Sequence, residues 1–235
     1  MVDPDEIEWW DFEDAAEMAD AVAGDIAFII ESALDARGQA LIALPGGKAV
    51  MPVLHALAEK PLQWKHVTIF PTDDLLVAVD DERSRVRALA QMFMPRGARV
   101  LPLSSENPDY KMAGAAANAR LTDLHWPPDL VWLTMHDSGG TAGLVASDDL
   151  AEAMAADKNI RAVGIQAAGA EMPHISITRA AIAEARTVMF LLEGSDAQAT
   201  LETAITDGAK SKLPIGRVFA SLNVPVDIYV LTPSS

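Results

Sequence analysis

Asp129-Leu130-Val131-Trp132-Leu133-Thr134-Met135-His136-Asp137-Ser138-Gly139-Gly140-Thr141-Ala142-Gly143-Leu144 is the stretch on which the fold turns. From Leu130 to Met135 it holds one hydroxyl and no charge, the composition of a strand buried on both faces. From His136 to Gly143 it becomes a loop of glycines and small polar residues, with a helical stretch expected beyond it. A strand covered on both faces needs helices on both sides, and helices that link such strands make the sheet parallel.

Outward from this segment the same unit recurs. Ala40-Leu41-Ile42-Ala43-Leu44 has no polar residue, runs into Pro45-Gly46-Gly47 and leads to a helical stretch reaching about Lys60. Val67-Thr68-Ile69-Phe70 opens onto an acidic loop from Pro71 to Arg83, then a helix from Ser84 to Met94. Short strands are expected at Val100–Leu103, Ile175–Thr178, Thr187–Leu192 and Val226–Leu231, and helices from about Ala113 to Leu124 and from Ala197 to Asp207. On the N-terminal side, Phe12, Ala15, Met18, Ala19, Val22, Ile26, Ile29, Ile30 and Leu34 recur at helical spacing, predicting one amphipathic helix over Asp11–Ala36. The expectation is an α/β fold, a mainly parallel sheet with helices on both faces, in a single domain over residues 1–235. Ligand sites in such sheets lie beyond the carboxyl ends of the strands, so the loops after Leu44, Phe70 and Met135 should converge.

Composition narrows the chemistry. Lys and Arg number 18 against 34 Asp and Glu, a net charge of −16 that repels nucleic acid and anionic membranes. An anion site in this field must gather its few basic residues and backbone N–H groups locally. The 235 residues include no cysteine, which excludes disulfides, thiolate nucleophiles and cysteine-ligated zinc and makes the cytoplasm the expected compartment. Met1 to Trp10 carries Asp3, Asp5, Glu6 and Glu8 and no basic residue, unlike a signal or transit peptide. No apolar run approaches the roughly 20 residues that span a bilayer. Nothing in the chain calls for a metal or an organic cofactor, and the five tryptophans form no cofactor pattern.

Three loops carry chemistry. Pro45-Gly46-Gly47-Lys48 follows a strand and opens a helix, a place where free N–H groups favour an anion; alone it reads equally well as a tight turn with Lys48 in solvent. Thr72-Asp73-Asp74 leaves the next strand with two carboxylates suited to moving a proton; alone it reads better as helix or turn capping. His136-Asp137-Ser138-Gly139-Gly140-Thr141 sets an imidazole, a carboxylate and a glycine pair in one loop. Neither a Gly-x-Ser-x-Gly elbow nor a Walker loop accompanies them.

Taken together these loops resemble the 6-phosphogluconolactonase family, which shares its fold with glucosamine-6-phosphate isomerase. Asp129–Leu144 is similar, without a gap, to the family's D-L-V-x-L-G-M-G-x-D-G-H-T-A-S-L. Ala43-Leu44-Pro45-Gly46-Gly47 resembles the A-L-S-G-G phosphate loop, and Asp73 to Arg87 fits D-E-R-x-V-P-x-x-x-x-x-S-N-Y-R. Pro173-His174-Ile175-Ser176-Ile177-Thr178 resembles the P-x-R-I-T-L-T strand. The resemblance covers nearly the whole chain and implies a Rossmann-like three-layer sandwich.

It also implies hydrolysis of 6-phosphoglucono-lactone to 6-phosphogluconate in the pentose phosphate pathway, on a small sugar-phosphate substrate. The departures fall on the chemistry. The family's water-activating histidine aligns with Gly140 and the Asp before it with Ser138. The Glu and Arg of D-E-R become Asp74 and Leu75, the Asn of S-N-Y-R becomes Arg85, the Arg of the later strand becomes His174, and a helical Lys becomes Ala197. The expected catalytic groups are therefore Asp73, His136 and Asp137, and the expected phosphate and substrate contacts Gly46, Gly47, Lys48, Ser84, Arg85, Arg87, Gly139, Thr141 and His174. The competing expectations are a catalytically impaired relative that binds a sugar phosphate or a protein partner as a sensor, and an isomerase using Asp73 as its base.

Overall fold

The computed structural model describes residues 7–105 and 107–232. Its elements run β1 (Ile7–Phe12), α1 (Ala15–Arg37), β2 (Ala40–Leu44), α2 (Met51–Ala58), β3 (Val67–Pro71), β4 (Asp73–Leu75), α3 (Arg85–Phe93), β5 (Arg99–Val100) and α4 (Tyr110–Thr122). The second half runs β6 (Leu130–Thr134), α5 (Leu150–Ala155), β7 (Ala162–Ile165), β8 (His174–Ile177), α6 (Arg179–Ala183), β9 (Val188–Glu193), α7 (Ser195–Asp207), α8 (Pro214–Phe219) and β10 (Val226–Leu231). Seven strands form one sheet in the order β1-β10-β9-β6-β2-β3-β5, and every pairing in it is parallel. A second, antiparallel sheet has the order β4-β8-β7.

The two-residue period of a strand explains the layers. Leu41 and Ala43 of β2, Val131 and Leu133 of β6, and Val188, Phe190 and Leu192 of β9 face one core with α4, α7, α8 and the small sheet. The alternate residues Ile42, Leu44, Leu130, Trp132, Met189 and Leu191 face the other core with α1, α2 and α3. The apolar runs are continuous because both faces are covered, and the result is the expected three-layer α/β sandwich.

The structure departs locally from expectation: α6 and α8 were not marked in the sequence, and the strand expected at Ile175–Thr178 is β8 of the antiparallel sheet. Residues 11 and 12 belong to a strand: Phe12 pairs in register with Leu231, and Asp14 starts the helix by accepting the N–H groups of Ala16 and Glu17. The acidic loop contains β4, whose Asp73 pairs with Ser176. The strand expected at Val100–Leu103 shortens to Arg99–Val100, ahead of Pro102, which has no N–H for a ladder. The helical stretch expected beyond Gly143 starts only at Leu150, as α5, and β7 after it was not marked in the sequence.

Among the described residues no helix is long and apolar enough to cross a membrane.

Candidate active site

The carboxyl end of β2 leads into Gly46 and Gly47 before the first turn of α2 at Met51. Gly47 has φ 113°, a conformation open to glycine. Gly46 is a matter of space, because a Cβ there would lie 2.6–2.8 Å from Cγ, Cδ and Cβ of Arg85. The stem of Arg85 thus lies on the glycine loop, and its guanidinium pairs with Asp73. Lys48 is exposed.

Asp73 is buried, pairs in register with Ser176 and accepts the Thr72 hydroxyl at 3.3 Å. Its neighbour Asp74 is fully buried and organises the start of α3. It accepts the N–H of Arg85 at 2.7 Å and of Val86 at 3.3 Å, and the hydroxyls of Ser84 at 3.2 Å and Ser104 at 3.5 Å. Burial, the largest influence, holds the Asp74 carboxyl above the usual carboxylate range against these hydrogen bonds, and the charge of Asp73 adds to the rise. Ser84 caps α3 by accepting the Arg87 N–H at 3.3 Å. Two residues further round the helix than Arg85, Arg87 lines a separate surface hollow with Val79, Asp80 and Pro102.

The loop after β6 is a tight structure. The His136 N–H donates to the Gly140 carbonyl and the Gly139 N–H to the His136 carbonyl, both at 2.8 Å. The Thr141 hydroxyl donates to the Thr134 carbonyl at 2.9 Å, closing the loop on its own strand. Gly139, at φ 71°, passes under Leu213, and its carbonyl accepts the Ile215 N–H at 3.0 Å. Ala142 has φ 48°, which costs a residue with a side chain about 1–2 kcal/mol, and its carbonyl meets His136 Nε2 at 3.0 Å. A carbonyl only accepts, so Nε2 is the donor in this contact and Nδ1 is the ring nitrogen left for proton exchange.

Position 140 itself has no room. A Cβ on Gly140 would lie 2.7 Å from Val145 Cγ1 and 3.0 Å from the Leu144 carbonyl oxygen. Gly143 is equally constrained: its N–H donates to Ser176 Oγ at 3.0 Å and its carbonyl accepts His174 Nε2 at 2.8 Å. His174, buried on β8, is therefore bonded to the loop backbone.

These loops converge. A cavity of about 430 Å³ is lined by Ala49 from the glycine loop, Thr134, Met135, His136 and Asp137 from the end of β6, and Glu193, Asp196, Ala197 and Thr200 from the end of β9 and α7. Arg85 and Asp73 join the glycine loop to β4, and Ser176 joins β4 and β8 to Gly143. Glu193, Asp196 and Thr200 went unnoticed in the sequence, although they follow a recognised strand at its carboxyl end. They lack the imidazole or glycine pair that marks the other loops. A larger cavity of about 610 Å³ lies at the opposite end of the strands, beside Arg37, Trp126 and Arg186. Arg37 and Arg186 there pair with the buried Asp129, at 2.5 and 3.5 Å, at the amino ends of the strands and away from the glycine-rich loops.

The comparisons identify the family and the fold. The family model for glucosamine-6-phosphate isomerases/6-phosphogluconolactonase matches residues 13–225. A 6-phosphogluconolactonase of Mesorhizobium japonicum is 31% identical over 227 residues, covering 94% of each chain. One of Pseudomonas putida is 32% identical over 220 residues, covering 92% of this chain and 89% of its own. The crystal structure of a 6-phosphogluconolactonase from Shewanella baltica OS155 superposes with a TM-score of 0.89 at 23% identity, over 96% of this chain and 98% of that one, which establishes the fold. With the family model spanning nearly the whole sandwich and both ends of the convergent site, the chain belongs to the glucosamine-6-phosphate isomerase/6-phosphogluconolactonase family.

Proposed function

We propose that the chain hydrolyses 6-phosphogluconolactone to 6-phosphogluconate in the cytoplasm, as one catalytic domain over residues 1–235, with His136 as general base. The observation that carries this is His136 in the wall of the cavity with its Nε2 3.0 Å from the Ala142 carbonyl oxygen, a contact that leaves Nδ1 as the nitrogen to take a proton. In the proposed reaction Nδ1 takes a proton from water as the hydroxide oxygen attacks the lactone carbonyl. The ring C–O bond then breaks, the imidazolium returns its proton to the leaving oxygen, and the products are a carboxylate, a hydroxyl and one released proton. Water and the ester are the only reactants, so no cofactor enters. His136 takes over at a distance of four residues what the aligned Gly140 lacks. Gly46, Gly47, Lys48 and Arg85 form the phosphate end, with Asp137 at the cavity rim; Gly139, Thr141, Ser84 and His174 hold the loops, and Arg87 stands apart.

The test follows proton release from freshly made 6-phosphoglucono-δ-lactone with the spontaneous rate subtracted. His136→Ala is expected to lower kcat by about 10²–10⁴-fold. Unchanged turnover in this variant would remove His136 as the base. No turnover by the unmodified chain would leave the reading of a sugar-phosphate binder, which the closed space at Gly140 favours.

A further inference from the structure

Arg85 stands where the family motif has asparagine; of the family's basic positions Leu75 and His174 replace arginines and Ala197 a lysine, while Arg87 is kept but lines a separate hollow. Its position is built. Asp74 fixes its backbone N–H at 2.7 Å, and its stem lies where any side chain on residue 46 would collide. Its side chain is 25% exposed, while that of its partner Asp73 is only 6% exposed. Arg85 thus keeps part of its side chain in reach of solvent, while the carboxylate that pairs with it is buried.

A guanidinium presents five N–H donors, more than the single ion pair to Asp73 uses, and its fork matches phosphate. We propose that Arg85 is the anion receptor of this site and Asp73 its internal counter-ion, so that a phosphate-bearing ligand binds by taking the place of Asp73 on the guanidinium. The phosphate class rests on the function proposed above; the competition between two anions for one cation rests on the geometry alone. Asp73 is thereby a brake on anion binding, and it holds the Arg85 guanidinium while the stem lies against Gly46.

Calorimetric titration with inorganic phosphate and with 6-phosphogluconate tests this without any turnover. Arg85→Gln should weaken both by about tenfold or more, and Arg85→Lys, a point charge without the fork, should fall between it and the unmodified chain. Asp73→Asn should tighten both by about threefold to tenfold, because the competing charge is gone. Gly46→Ala, which pushes the arginine stem aside, should weaken them with the melting temperature as a check on folding. Arg85→Gln binding as well as the unmodified chain would overturn the receptor, and Asp73→Asn binding more weakly would overturn the brake. If these binding shifts appear in a chain that does not open the lactone, the proposed hydrolysis falls and the anion switch stands. If the lactone is opened and Arg85→Gln leaves its KM unchanged, the switch alone falls.

Discussion

At the scale of single residues, the glycines of the β6 loop are decided by the volume of what faces them. A Cβ on Gly143 would lie 2.4 Å from His174 Cδ2 and 2.7 Å from Ser176 Cβ. The motif places serine at 143 and arginine at 174, so the small residue and the inserted ring form a matched pair. Gly143→Ala is expected to destabilise the chain by about 1–3 kcal/mol in urea unfolding, and the added change His174→Ser to recover a large part of it. Additive losses would mean the two positions are not in contact. The same reasoning bears on Gly140. A histidine introduced there meets Val145 and the Leu144 carbonyl, so restoring the motif residue alone does not restore the motif geometry.

At the scale of elements, the start of α3 is set by a carboxylate from another strand. Asp74 on β4 holds the first N–H groups of α3 together with the Ser84 and Ser104 hydroxyls, and burial keeps its proton bound to higher pH than in an unfolded chain. The folded state then binds more protons than the unfolded one just above the ordinary value of 3.8, so stability falls as pH rises through that window and levels off above the raised value. Asp74→Asn removes this dependence. Urea midpoints measured from about pH 4 upward should therefore shift in favour of the variant as pH rises, whatever constant loss the altered cap adds. A difference that stays constant across the window would contradict the raised position of Asp74.

At the scale of the molecule, a net charge of −16 opposes the approach of a phosphorylated substrate. The site offers little net attraction in return, since Arg85 is paired with Asp73 and the cavity wall carries Asp137, Glu193 and Asp196. Screening should therefore help. Raising a monovalent salt from about 0.01 M to about 0.15 M, which shortens the Debye length from about 30 to about 8 Å, is expected to raise kcat/KM for the phosphorylated lactone. A fall would place a net positive potential at the cavity mouth.

By itself the sequence determined the layers and the address of the site. Fully apolar runs such as Ala40–Leu44 and Leu130–Leu133 have one physical solution, a parallel strand covered on both faces, and glycine-rich loops after such strands gather at one end of the sheet. It also marked His136, Asp73 and the glycine pairs as the residues that reach that end. Only the tertiary structure decided what those groups do for one another. That Arg85 lies on Gly46 and holds Asp73, that Arg87 turns away from them, and that Asp74 and Ser84 serve as a helix cap depend on a β4 strand whose partner is a hundred residues distant in the chain. Local patterns record burial and turn chemistry, which neighbouring residues settle among themselves; the partner of a charge is chosen by packing between elements, and no local pattern carries it.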